Sequence, residues 1–118
     1  MAQQTVVKRS AAAAGANTDT VITTPPAGIK FKVLGFYVLN EGAAQSAGGT
    51  FELRFGANIL ALAGLETLTA PIGMQTKQAI IAHEIVGDGV TTLVGRNLIA
   101  LAASSTAGYV VTYDSNYI

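Results

Sequence analysis

The sequence predicts an all-β fold: an antiparallel β-sandwich, jelly-roll-like, with an extended N-terminal arm. Three observations predict it. Short runs rich in Val, Ile, Thr, Phe and Tyr alternate apolar with polar positions. Turn residues recur every 8 to 12 residues or so, and no segment keeps a helical period long enough for a convincing helix. A chain of 118 residues is one domain by length and buries roughly two thirds of the surface its unfolded form exposes. Periodicity does not write strand order, so an immunoglobulin-like sandwich is the alternative topology.

Taken in order, Gln3 to Lys8 has the β-branched content of a short strand or an extended arm. In "SAAAAGANTDT" four alanines favour helix, but Gly15, Asn17, Thr18 and Asp19 end it within about one turn. Residues 1–18 are therefore read as arm and flexible connection, and 19–118 as a single sandwich domain. Thr20 to Thr24 is a strand stopped by Pro25 and Pro26, which cannot donate to a ladder. "IKFKVLGFYVLN" opens with Ile29, Phe31 and Val33 on one side and Lys30 and Lys32 on the other. After the small-residue loop "EGAAQSAGG", "TFELRFG" sends Phe51, Leu53 and Phe55 inward and Glu52 and Arg54 outward.

A short strand follows from Asn58 to Leu62, then an irregular stretch past Pro71. "MQTKQAIIAHEIV" alternates weakly up to "GDG" at 87–89, a strong hairpin-turn signal because Gly and Asp tolerate positive backbone angles. Two more strands, Thr91 to Leu101 and Gly108 to Asp114, flank "AASSTA". The total is seven to nine strands.

Charged residues make up 12% of the chain, about half the usual share, while half the residues are hydrophobic. Seven basic and seven acidic side chains cancel. With no net field, neither nucleic acid nor an anionic membrane is an expected partner. Absence of cysteine excludes disulfides, thiolate metal sites and cysteine nucleophiles. The N-terminus lacks the apolar core of a secretory leader, which points to synthesis in the cytoplasm.

No catalytic constellation emerges. His83, the only histidine, is followed by Glu84 without the second histidine of a zinc-binding helix. The carboxylates Asp19, Glu41, Glu52, Glu66, Glu84, Asp88 and Asp114 form no calcium loop, and the glycines match no phosphate-cradling pattern. No cofactor or metal is expected, and the protein is read as a non-enzyme. "VKR" at 7–9 and "KFK" at 30–32 are the basic clusters, read as solvated faces or contacts for an acidic protein surface.

The one anomaly is apolar. Strict alternation places Leu34, Phe36 and Val38 opposite Val33, Tyr37 and Leu39, so that both faces of one strand are hydrophobic. The run 93–101 repeats this, with Val94 and Leu98 opposite Leu93 and Ile99. A second cover is then required, from a loop of the same chain, another subunit or a larger assembly, and two such strands in one small domain suggest an oligomer. The candidate oligomer or partner interface is Val7, Lys8, Arg9, Leu34, Phe36, Val38, Val94 and Leu98.

The segment "GIKFKVLGFYVLNEGAAQSAGGTFELRFGANILALAG" resembles the start of the small β-sandwich proteins that decorate the heads of tailed phages: a strand ending in an apolar run, a small-residue loop, then a second strand. This resemblance covers Ile29 to Tyr113 and implies a capsid decoration or cement protein on the outer surface of the virion. It also implies a homotrimer, with the major capsid protein as partner. Lys8 and Arg9 on the arm would then pair with acidic residues of the shell. Two alternatives stay open: a carbohydrate- or receptor-binding β-sandwich module using the loop tips Glu41 to Gly49 and Gly87 to Gly89, and a tail or head-fibre component.

Overall fold

The computed structural model describes residues 2–42, 49–65, 74–75, 79–103 and 105–116. They form nine strands: β1 (Ala2–Arg9), β2 (Thr18–Thr23), β3 (Lys30–Gly42), β4 (Gly49–Phe55), β5 (Asn58–Leu65), β6 (Met74–Gln75), β7 (Ala79–Val86), β8 (Leu93–Asn97) and β9 (Ser105–Asn116). Among the described residues there is no helix, and none long and apolar enough to cross a membrane.

Every pairing is antiparallel, and the pairs are nested. β1 lies along β9, β2 along β8, β3 along β7 and β4 along β5. These are the rungs of one long hairpin whose tip is the turn at Gly56 and Ala57. Rolling that hairpin up brings β9 also against β3, and β8 also against β4. The result is two facing sheets: β1-β9-β3 with β7 and the two-residue β6 sharing the far edge of β3, and β2-β8-β4-β5. Nested rungs wound into two sheets are the jelly-roll form of the sandwich.

The expected N-terminal arm is not free in the structure. Ala2 to Arg9 pairs with β9 residue for residue, from Ala2↔Ser115 to Arg9↔Gly108. β9 is twelve residues long and central, so its second edge needs backbone partners, and the β-branched run beside it supplies them. The connection that follows is pinned as well. Ser10 N donates to Ala107 O (2.9 Å), Ala13 N to Ser105 O (2.9 Å), and Ser10 Oγ accepts from Ala107 N (3.0 Å). Ala14 is buried, and its carbonyl accepts from Leu101 N at 2.9 Å.

The doubly apolar run resolves at a bulge. Val33 pairs with Tyr113 and Gly35 with Thr112, leaving Leu34 without a partner in the β9 ladder. One extra residue reverses the parity of a strand. Phe31 and Val33 therefore point inward before the bulge, and Phe36 and Val38 point inward after it, all four buried. Two predicted interface residues, Phe36 and Val38, are thus core residues of this chain, while the outward Tyr37 and Leu39 are half-buried.

The core lies between the sheets. Phe31 stacks on Tyr113 (centroids 4.9 Å apart), and Phe36 stacks on Tyr109 at 6.3 Å. Phe51 of the facing sheet meets Tyr109 edge-on at 6.1 Å, so Tyr109 ties the layers together. Leu53, Leu93, Ile22, Ile85 and Val111 complete this cluster.

β8 stops short of the predicted Leu101. Asn97, fully buried, donates from Nδ2 to Gly15 O (2.6 Å) and Ile99 O (2.7 Å), and its carbonyl accepts from Asn17 N (2.7 Å). Those bonds turn the chain out of the ladder and fasten the β8–β9 and β1–β2 connections to each other. Leu101 reaches the core from a loop, beyond the end of the strand.

Candidate interaction surfaces

Among the described residues, exposed large apolar side chains group in three places: one loop end, the outer face of the second sheet, and the β1 edge. Among the described residues no group of three or more His, Asp or Glu stands close enough to hold a metal ion. Register places His83 opposite Val33 and Glu84 opposite Lys32.

At one end of the sandwich the β2–β3, β4–β5 and β7–β8 connections meet. Gly87 N donates to Ile29 O (2.8 Å), Gly28 N to Gly87 O (2.9 Å), Gly89 N to Pro25 O (3.0 Å) and Gly56 N to Thr92 O (3.0 Å). The approach is so close that a Cβ on Gly87 would sit 2.1 Å from Pro26 O. Asp88 fixes the tip: Oδ1 accepts from Val90 N (2.8 Å) and Thr91 N (2.6 Å), and Oδ2 from the Thr91 hydroxyl (2.5 Å). The Thr91 hydroxyl, then the backbone donors, hold the carboxyl down at about 2. This is the turn that "GDG" predicts, but it carries the chain from one sheet to the other instead of closing a hairpin, since β7 pairs with β3 and β8 with β2 and β4. It presents Val90, the most exposed large apolar side chain among the described residues at 81%, with Val86 exposed beside it.

The outer face of the second sheet is read from its register. One row runs Asp19, Arg96, Glu52, Leu62, and the next runs Val21, Val94, Arg54, Ile59. Asp19 and Arg96 form a two-pronged pair, Nε donating to Oδ1 (2.6 Å) and Nη2 to Oδ2 (3.1 Å). The Arg96 hydrogen bonds lower the Asp19 pKa, and Asp19 in turn raises that of Arg96. Glu52, expected on an open face, is buried although it points outward. Arg54 lies 3.7 Å from it, beyond hydrogen-bond length, and donates from Nη2 to Ala57 O at 3.2 Å. The Arg54 Nε is buried without an acceptor among the described residues. Around these recessed charges Val21, Ile59 and Leu62 are exposed by 52–56%.

Of the predicted interface residues, Val7, Lys8 and Arg9 are exposed on β1. Leu34 is half-buried at the bulge, and Leu98 is half-buried where the chain leaves β8, its N donating to Thr50 O at 3.1 Å. Val94 faces outward but is buried between Val21 and Arg54. The set is thus scattered over both sheets and the core. Sequence reasoning missed Val21, Ile59 and Leu62, whose common face exists only through strand pairing. The loop tip Glu41 to Gly49 lies largely outside the described residues.

No family model matches the chain, and no curated protein matches it. Among solved structures it is similar to the coat protein of Tobacco streak virus, at 10% identity and a TM-score of 0.36 over 98% of this chain and 88% of that one. It is also similar to the infectious bursal disease virus VP2 subviral particle, at 11% identity and a TM-score of 0.20 over 96% of this chain and 42% of that one. Likenesses at these scores carry nothing about activity.

Proposed function

We propose that the chain is a non-enzymatic structural protein of a virus particle, a decoration or cement protein that binds the outer surface of a phage head and clamps neighbouring subunits. The reading rests on how exposed apolar side chains are distributed over a charge-balanced, tightly tied sandwich. Val86 and Val90 occupy one end, Val21, Ile59 and Leu62 one face, and Val7 one edge. Covering one such aliphatic side chain contributes about 1–2 kcal/mol, too little at any single place for a stable complex. Several small contacts engaged together on a lattice add through effective concentration, which suits a clamp. Its partners in this reading are copies of itself and the major capsid protein, and its location is the virion surface.

The test is co-sedimentation of the purified chain with empty phage heads assembled from the major capsid protein. Saturable binding, with a rise in the melting temperature of the shells, is the expected result. Val90→Asp weakens that binding at least about tenfold if the loop tip is seated on the shell. Absence of binding to shells combined with retention on a glycan array would instead support a carbohydrate-binding module.

A further inference from the structure

We infer that the outer face of the β2-β8-β4-β5 sheet is a two-fold contact that takes a second copy of this chain. Three of the six exposed large apolar side chains among the described residues, Val21, Ile59 and Leu62, lie on this one face. A generic solvated face of an antiparallel sheet would carry polar residues there.

Charge complementarity selects the occupant. The outward positions form two rows of four, Asp19-Arg96-Glu52-Leu62 and Val21-Val94-Arg54-Ile59. A two-fold axis lying in the face, across the strands at the level of Gly95 and Leu53, exchanges the two rows. Glu52 of one copy then lies over Arg54 of the other, and Leu62 over Ile59, each twice. Asp19 and Arg96, already joined by two hydrogen bonds, meet Val21 and Val94. No like charges are opposed. The loose Glu52–Arg54 pair becomes a ring of four alternating charges, around an Arg54 whose Nε has no hydrogen-bond acceptor among the described residues.

Area sets the strength. Four strands about 4.8 Å apart and roughly five residues deep give a footprint of about 19 by 17 Å. That is well under the ~800 Å² per partner of a standard interface, in the range of weak, transient contacts. Such a contact closes only where copies are already concentrated. It stands on the register and the exposed side chains, independently of the virion reading.

The experiment is sedimentation equilibrium of the purified chain from about 5 µM to about 1 mM. A monomer–dimer equilibrium is expected. Ile59→Glu and Leu62→Lys each raise the dissociation constant at least about tenfold, and mixing the two variants restores association to within about threefold of the original. Glu84→Gln, exposed on β7 of the other sheet, leaves it unchanged. Circular dichroism melts confirm folding, and should one face variant not fold, the other decides by itself. A monomer at every concentration, a trimer, or a dimer indifferent to both face variants overturns the contact.

Discussion

Tyr109 packs its ring against the backbone of Gly95, in a gap where one added carbon would sit 2.4 Å from the ring Cδ1. The two residues belong to different sheets, β9 and β8, so this approach sets the local thickness of the sandwich.

Gly95→Ala is expected to destabilise the protein by about 1–3 kcal/mol, the usual cost of overpacking a filled core. The ring cannot retreat, because Phe36 stacks on it from one side and Phe51 closes it edge-on. Denaturant unfolding of Gly95→Ala alone and with Tyr109→Leu checks this: the second substitution opens the gap, so the two changes should couple favourably.

Tyr109→Phe is expected to leave stability unchanged or raise it by about 1 kcal/mol. The Tyr109 hydroxyl is buried with no hydrogen-bond partner among the described residues, and burial pushes its pKa up. Removing it discards a desolvated polar group while keeping the ring. A clear fall in melting temperature would show that the hydroxyl is satisfied in solution, most simply by an internal water.

Phe36→Asp is expected to abolish folding, since Phe36 is fully buried in the apolar core between the sheets, where a carboxylate is strongly disfavoured. Val7→Asp, on the exposed β1 surface, changes stability by no more than about 0.5 kcal/mol. Soluble yield and thermal melts of the pair separate core from surface on strands of the same sheet.

Acid sensitivity follows from Asp88 and Asp19, both more acidic in the folded state. A carboxyl with a lowered pKa stabilises the fold above its unfolded value of 3.8 and loses that stabilisation as pH falls through its folded value. Melting temperature should therefore be level near neutrality and decline from about pH 4 towards pH 2. Asp88→Asn lowers stability near neutral pH and makes the acid decline shallower. A decline of unchanged steepness would show that other carboxyls govern it.

Much of the fold is legible in the sequence, and the failures share one cause. Alternation in Phe51, Leu53 and Phe55, the prolines after β2 and the Gly87-Asp88-Gly89 turn each follow from local backbone chemistry, and each is where it was expected. Parity, however, carries no memory across an inserted residue. Gly35 and the lost alternation at Leu34 are the only local marks of the bulge, and reading straight through it places the core residues Phe36 and Val38 on the candidate interface. Long-range pairing is equally silent in the text. β1 is a strand because β9 lies beside it, and Val21, Leu62 and Ile59 share a face because β8 and β4 stand between their strands. The buried Glu52 and the turned-out chain after Asn97 likewise depend on neighbours distant in sequence.

The nested pairing has a consequence for how the chain is made. β9 sits between β1 and β3, yet it leaves the ribosome roughly sixty residues after β3 and later still than β1, which at 5–20 residues per second is several seconds or more. Throughout that interval the first sheet lacks its central strand, and Phe31 and Phe36 lack the Tyr113 and Tyr109 rings that stack on them. Contacts between such remote segments also make folding slow, on the millisecond-to-second scale of all-β sandwiches. The nascent chain is thus most vulnerable to sticking to its neighbours just before β9 emerges, and a holding chaperone would find β3 as its most accessible target.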